Sequence, residues 1–573
     1  MRLRASIGAG LLALIMLLLA LRLAKLQVLD HDYYRGLALQ QQTIRRALAG
    51  RRGNIYDSRG RLLATSVRRW SVFVDPSQMQ QPAVRRATAV VLAHVLKMDA
   101  RALLEKLHGP GRFAWIRRQI PDADAERVRR LGLPGIHLER EYDRHYPTGQ
   151  LCAHVVGFTD VDGRGLGGIE LELDRILRSS PGRELVLCDV ARRVVRSAGD
   201  EPLLEPADGY DVYLTIDACV QNIARKELLS TVKQYAPEAA WAIVLDTRTG
   251  ALLADVDWPL FDPEEPGRSS PADLKDRIVT DAYEFGSVMK PLAAAAALEA
   301  GLVTPQSTFY CHRGAWKVGR RTIHDVHPYG TLTVSEIIAK SSNIGIGQIG
   351  LLLGPERFYQ SQRRFGLGEP TGIHIPGEIS GIIRPLRLWT RDSVISVAFG
   401  QEIATTPISV AFAFAALANG GVLLRPQIVS RIVESGSGQS VYEWSGPQVR
   451  WRAVSEHTAG LVLQMMQRVV EEGTGQRAKL KEYAVAGKTG TASLLKPDGR
   501  GYSDSRYLSS FVGTAPADSP RVLVLVSLKA PRKGSYYGGS VAAPACGQIL
   551  RQTLKYLKVP PRPAGMDLAE ARR

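Results

Sequence analysis

At 573 residues the chain is too long for one small domain, and its 45% hydrophobic and 23% charged residues exclude wholesale disorder. With 54 glycines and 32 prolines it is no collagen-like or low-complexity polymer. A formal net charge of +18 asks for an anionic partner, and composition leaves nucleic acid, an acidic membrane surface and an acidic polymer open.

Arg2 and Arg4 precede residues 5–21, a run of 17 without a charge. As a helix that run spans about 25 Å against a hydrocarbon core of about 30 Å, and Arg22 and Lys25 can snorkel to the far interface. The basic flank places residues 1–4 in the cytoplasm, residues 5–25 across the membrane and the rest of the chain outside the cytoplasm. Cleavage as a signal peptide is the alternative. Arg22 and Leu23 stand before Ala24 where an A-x-A site needs small residues, so an uncleaved anchor is expected. An exported chain does not meet nucleic acid, and DNA binding drops out.

Residues 26–213 mix β-like runs at 70–74, 154–158 and 184–190 with Arg-rich helical segments. Residues 83–96 have helical spacing through Val84, Val90, Val91, Val95 and Leu96. From residue 214 the texture changes. Residues 240–246 and 251–256, separated by Thr247-Arg248-Thr249-Gly250, read as a hairpin, 522–527 as an apolar strand, and 542–557 as a helix. A second domain over 214–560 and a flexible tail over 561–573 are expected. Cys152, Cys188, Cys219, Cys311 and Cys546 are scattered without C-x-x-C, which excludes a disulfide scaffold and a clustered zinc site but leaves a single bridge open.

Three short motifs can carry chemistry. Ser287-Val288-Met289-Lys290, followed by Pro291 and an alanine-rich run to Gly301, reads as a helix start with serine and lysine on one face. A serine is a poor nucleophile until a base takes its proton, and a lysine can be that base when burial depresses its pKa. In Ser341-Ser342-Asn343, hydroxyls and an amide can relay a proton and hold a substrate carbonyl, although a helix cap has the same composition. Lys488-Thr489-Gly490-Thr491, after the β-like residues 483–486, suits a strand against which a peptide lies, with its carboxylate facing Lys488 and Thr491. The competing phosphate-loop reading fails, because Glu482 stands where Walker A needs glycine.

Other patterns are poorer. Gly163, Gly165 and Gly168 satisfy G-x-G-x-x-G without a Rossmann context, so a turn is expected. His324-Asp325-Val326-His327 lacks a third ligand at metal-site spacing, so a hydrogen-bonded loop is expected there. H-E-x-x-H and G-x-S-x-G are absent from the sequence.

In the order S-x-x-K, S-x-N, K-T-G, the motifs resemble those of penicillin-binding proteins and β-lactamases. Over nearly its whole length the chain resembles the class B penicillin-binding proteins, and most closely their cell-division branch. Arg52-Gly53-Asn54-Ile55-Tyr56-Asp57 through Gly60, Leu63 and Ala64 is similar to that family's R-G-x-I-x-D-R-x-G-x-x-L-A segment, with Ser58 in place of arginine. Arg144, Gly168-Ile169-Glu170, Asp217 with Gln221, Gly473-Thr474-Gly475 and Tyr536-Tyr537-Gly538-Gly539 also match. Phe285 departs from the usual proline and Glu402 from the usual glycine.

The resemblance implies an α+β fold. A transmembrane helix is followed by a membrane-proximal pedestal over 26–213 and a transpeptidase domain over 214–560 with an antiparallel sheet flanked by helices. It implies peptidoglycan D,D-transpeptidation through a serine acyl-enzyme, in septal wall synthesis. Ser287 would attack the D-Ala-D-Ala carbonyl of a stem peptide with Lys290 as base, and the Ser287 and Thr491 amides would form the oxyanion hole. Ser341 would pass a proton, Asn343 would hold the substrate backbone, and Lys488 with Thr489, Gly490 and Thr491 would orient the terminal carboxylate or that of a β-lactam. Neither cofactor nor metal is implied. The implied partners are peptidoglycan stem peptides, β-lactams, the inner membrane, a SEDS-family (FtsW-like) glycosyltransferase and other divisome membrane proteins. A β-lactam sensor or hydrolase, and a structural divisome scaffold, are the alternatives.

Overall fold

The computed structural model describes residues 2–109, 111–188, 194–197, 204–319, 321–496 and 501–561. Of the sequence expectations, the tail beyond residue 561 and the last two residues of the 184–190 run lie outside the described residues. The chain divides into two compact units, residues 1–52 with 179–209 and residues 53–178 with 210–573.

The first unit opens with helix α1 (Arg2–Ala24), which continues through a π-helical turn at Lys25–Leu29. Over Leu3–Leu29 it is long and apolar enough to cross a membrane, and its large side chains are exposed on every side. A helix apolar all round finds its partner in lipid rather than in a core. A second helix, His31–Gln42, follows, and Thr43–Leu48, Gly182–Cys188 and Val194–Ser197 form an antiparallel sheet with the middle segment central.

The second unit is built on two sheets. Short β1 (Ile55–Tyr56) turns into long β2 (Leu62–Val74), which pairs antiparallel with β3 (Ala114–Ile120) and β4 (Ile136–His145). Helix Pro82–Leu96 forms as expected, and of the residues named for its apolar face Leu96 is buried and Val95 partly so. Thr88, Ala89, Leu92, Ala93 and Leu96 are its buried residues, whereas Val90 and Val91 are exposed. The run expected as a strand at 154–158 is helical over Ala153–Val156 and ends at Gly157 (φ +79). There a Cβ would stand 1.8 Å from the Gly167 carbonyl oxygen, so the backbones touch and only glycine fits. The glycines 163–168 form a turn in which the Asp160 carboxylate accepts from the amides of Asp162 and Arg164.

Strand β5 (Asp211–Leu214) lies parallel to β1, and helix α2 (Ala218–Tyr235) follows it. The expected hairpin is β6 (Ala239–Asp246) with β7 (Leu252–Trp258). All eight residues of β6 are buried because both of its faces are covered. Trp241, Ile243 and Leu245 enter the core that holds α3 (Lys290–Glu299), while Ala240, Ala242 and Val244 enter the core behind α2. Helices α4 (Val334–Lys340), α5 (Asn343–Leu353) and α6 (Pro407–Ala418) come next, α6 being buried along its whole length. The chain then returns to β5 with β8 (Val429–Val433) and β9 (Ser440–Glu443). Among the described residues β1–β5, β8 and β9 therefore form one seven-stranded sheet.

Helix α7 (Glu456–Glu471) leads to three long strands, β10 (Ala486–Leu495), β11 (Tyr502–Ala515) and β12 (Val522–Lys529). With the hairpin they make a five-stranded antiparallel sheet in the order β7-β6-β12-β11-β10. Helix α8 (Ala543–Tyr556) packs with α2 on one face of that sheet. The fold class is α+β, and β10 is an edge strand with its outer side open to an extended ligand. All five cysteines are free thiols.

Candidate active site

Ser287 lies in a tight 3-10 turn, Gly286–Met289, that feeds directly into α3 with Pro291 in the helix's first turn. Gly286 has φ +55, and Val288 and Met289 are buried beneath it, so the turn is clamped from below. Ser287 itself is half-buried, and among the described residues its Oγ has no hydrogen-bond partner. The nucleophile candidate is held in place with its oxygen free.

Lys290 is fully buried. Its Nζ donates to the Ser341 carbonyl oxygen at 2.5 Å, to Asn343 Oδ1 at 2.7 Å and to Ser341 Oγ at 3.2 Å. Burial pulls its pKa down to about 7, against the opposing charge of Asp325. Ser341 ends α4 in a left-handed conformation (φ +60), Ser342 caps α5 by accepting from the Gly345 amide, and Asn343 is the first residue of α5. The S-x-N motif is thus the corner between two helices, and the corner aims Ser341 and Asn343 at one amine.

Lys488 comes from β10 and is also fully buried. Its Nζ donates to Ser341 Oγ at 2.9 Å and to the Thr489 carbonyl oxygen at 3.1 Å. Burial first, and the charge of Lys290 second, hold its pKa well below the usual lysine value. Two buried amines on one hydroxyl repel each other when both are charged, so the pair favours at least one neutral amine.

Gly490 lets β10 lie against the nucleophile turn. A Cβ there would meet Val288 Cγ2 at 2.6 Å and the Phe285 carbonyl oxygen at 2.7 Å. Thr489 Oγ1 pairs with Thr474 Oγ1 at 2.6 Å, and Thr491 Oγ1 accepts from the Gly538 amide at 3.0 Å. The segments around Thr474 and Gly538 therefore brace the strand. The structure brings Ser341, Asn343, Lys290 and Lys488 into one hydrogen-bonded cluster and places Ser287, Thr489, Gly490 and Thr491 around it. Lys488 points into the cluster rather than outward to solvent; Thr489 is buried beside it, and Thr491 is half-buried.

Two acidic residues at the site escaped the sequence reading. Asp325 accepts from Ser342 Oγ at 2.6 Å and from the amides of Asn343 and Ile344. It stood in plain view in the His-Asp-Val-His run, but no spacing rule connects it to residues 342–344. Glu284 accepts from the Glu402 amide at 2.9 Å, and burial raises its pKa. Of the two departures, Phe285 is buried under the turn, while Glu402 sits at φ +60 and receives the Arg384 guanidinium. His324 and His327 are exposed, and among the described residues no group of three or more His, Cys, Asp or Glu is arranged to hold a metal ion.

Comparison with known proteins places this geometry. Residues 240–551 match the penicillin binding protein transpeptidase domain, and residues 47–214 the penicillin-binding protein dimerisation domain. The chain is 35% identical over 517 residues to the probable peptidoglycan D,D-transpeptidase PenA of Neisseria meningitidis serogroup A, covering 90% of this chain and 86% of that protein. It is 30% identical over 569 residues to the peptidoglycan D,D-transpeptidase FtsI of Escherichia coli K12, covering 97% and 92%. Among solved structures, penicillin binding protein 3 of Mycobacterium tuberculosis complexed with ampicillin superposes with a TM-score of 0.71 at 28% identity, over 91% of this chain and 98% of that one.

Proposed function

This chain belongs to the class B penicillin-binding proteins, and we propose that Ser287 is the nucleophile of its peptidoglycan D,D-transpeptidase reaction. The observation that carries the assignment of residues is one atom. Ser341 Oγ is within hydrogen-bond distance of both Lys290 Nζ and Lys488 Nζ, at 3.2 and 2.9 Å, so three sequence-distant motifs meet there.

Lys290, held near neutrality by burial, takes the Ser287 proton as Oγ bonds to the carbonyl carbon of the penultimate D-Ala. The helix N-terminus and the amides of Ser287 and Thr491 face the developing oxyanion. The bond to the terminal D-Ala then breaks, and its nitrogen takes a proton through Ser341, which both amines can recharge. An amine from a second stem peptide attacks the ester, a new amide forms, and Ser287 recovers its proton. Asn343 holds the donor backbone, while Thr489 and Thr491 present hydroxyls to its carboxylate beside the open edge of β10. A β-lactam enters by the same attack and stays as the ester.

In this reading α1 is a single-pass anchor with residues 1–4 in the cytoplasm and the catalytic domain outside it, periplasmic in a Gram-negative cell. The chain works in septal wall synthesis beside a SEDS-family glycosyltransferase and other divisome proteins, which would supply the glycan strands. The test is labelling of membranes by a fluorescent penicillin. Wild type is expected to take a slowly decaying label and Ser287→Ala none. Persistent label on Ser287→Ala, or none on folded wild type, would overturn the assignment, and rapid loss of label would point to a hydrolase.

A further inference from the structure

The Lys290–Ser341–Lys488 cluster contains two amines and no carboxylate of its own. A buried cation needs a counter-charge or must give up its proton. The groups within hydrogen-bond distance of Lys290 Nζ are neutral, namely the Ser341 carbonyl and hydroxyl and the Asn343 carboxamide. The other charges acting at the cluster are Lys488 from β10 and Asp325, half-buried just beyond the strand Arg321–His324.

Asp325 grips the far side of the same corner. Its Oδ2 accepts from Ser342 Oγ at 2.6 Å, while Oδ1 accepts from the Asn343 amide and, at 3.1 Å, from the Ile344 amide. Asn343 Nδ2 donates in turn to the His324 carbonyl oxygen at 2.9 Å. The α5 N-terminus is therefore capped twice, by Ser342 from its own chain and by Asp325 from an element 18 residues upstream. Such a cap places a full negative charge where the helix dipole is positive and where Asn343 begins its reach to Lys290. Ser341, strained into the left-handed region, depends on residues 342–344 being fixed. Around Asp325 the titratable neighbours besides Lys290 are Cys311, whose Sγ is 3.4 Å from Ser342 Oγ, and Tyr329.

We propose that Asp325 is a positioning residue for acylation: its carboxylate locks the Ser341-Ser342-Asn343 corner onto Lys290 and supplies the negative charge that the two-amine cluster lacks. This inference rests on Lys290 being the base. Asp325 touches neither substrate nor the reacting atoms. Its effect passes through the orientation of Ser341 and Asn343, and through the share of Lys290 that carries a proton. The sign follows. Attack needs the neutral amine, so acylation in wild type falls as pH drops through the Lys290 pKa of about 7. A carboxylate nearby favours the charged amine, so removing its charge moves that acid limb to lower pH.

The test is the rate of acylation by a fluorescent penicillin across pH, in the full chain in detergent, for wild type, Asp325→Asn, Asp325→Glu and Ser342→Ala. Asp325→Asn is expected to lose at least tenfold in maximal rate, and to keep relatively more of that rate at about pH 6 than wild type does. Asp325→Glu, which keeps the charge but misplaces it, should lose rate with the limb nearly unmoved. Ser342→Ala removes one anchor without touching charge and should behave like it. An unmoved limb in Asp325→Asn overturns the electrostatic role, and an unchanged maximal rate overturns the positioning role. If Asp325→Asn fails to fold, an unchanged maximal rate in both Asp325→Glu and Ser342→Ala overturns the proposal by itself. No labelling of wild type would instead sink the assignment of Ser287.

Discussion

Glu402, where the resemblance leads one to expect glycine, is legible physically. A side chain in the left-handed region costs about 1–2 kcal/mol where glycine costs almost nothing. At φ +60 Glu402 bears that strain, and the structure shows what it holds in return. Its amide donates to Glu284, three residues before the nucleophile, and its carboxylate receives Arg384, which also donates to Ser393 Oγ at 2.9 Å. The backbone hydrogen bond survives replacement by alanine or glycine and the ion pair does not. Since the pair is partly exposed to solvent, it is worth about 0.2–1 kcal/mol. Comparing Glu402→Ala with Glu402→Gly separates the two effects, because both lose the pair and only glycine loses the strain. The glycine variant is expected to be more stable than the alanine variant by about 1 kcal/mol, read as a higher Tm in a thermal melt. Equal melting would show that the backbone is not strained there.

At the scale of elements, the site depends on an edge strand lying flat on a turn. Gly490 is the point of closest approach, and the atom that an added Cβ would meet at 2.7 Å is the Phe285 carbonyl oxygen, which cannot swing aside. Gly490→Ala should therefore lift β10 from the turn and separate Lys488 from Ser341. Penicillin acylation is expected to fall at least tenfold, with a stability loss of about 1–3 kcal/mol from overpacking. Gly267→Ala, where the added Cβ meets nothing within 4 Å and the backbone, like that of Gly490, lies outside the left-handed region, controls for the mere insertion of a methyl group. The three motifs were legible because each needs particular atoms at fixed spacing, and the hairpin because β6 is apolar on both faces. Helix 82–96 was legible as a helix but only partly in its facing. Of the residues the spacing singled out, Leu96 is buried and Val95 packs partly against the core, but Val90 and Val91 face out and the core takes Ala89, Leu92 and Ala93 instead. The helical turn at 153–156 was hidden because its cause is the contact between Gly157 and Gly167, which no local pattern records. Asp325 was hidden for the same reason, since its partners are set by tertiary approach.

For the whole molecule, the segment before the first long strand acquires a physical task. Asp57 is fully buried. Its Oδ1 accepts from the amides of Arg59 and Arg61 at 2.8 Å, and its Oδ2 from the Ala218 amide at 3.1 Å, at the start of α2. The Ser58 amide donates to the Ile216 carbonyl oxygen, and Asn54 donates to Asp211. The segment matched by the dimerisation family is thereby tied to the entrance of the transpeptidase segment, and the seven-stranded sheet runs through both. A second tie is Gln221, which donates to the carbonyl oxygens of Leu151 and Asp255 and accepts from the Asp255 amide. These bonds join elements far from Ser341, so they should govern stability and leave chemistry alone. Asp57→Ala strands three backbone donors and is expected to cost about 2–4 kcal/mol, lowering Tm by several degrees. Asp57→Asn keeps an acceptor for two of them but turns an N–H toward the Ala218 amide, so it should fall between. Both variants, held well below their melting temperatures, are expected to acylate with penicillin at the wild-type rate, because no bond of Asp57 reaches the cluster. A wild-type Tm for Asp57→Ala would mean the two segments are held together by the sheet alone, and a slowed acylation rate at full stability would mean the joint is felt at Ser287.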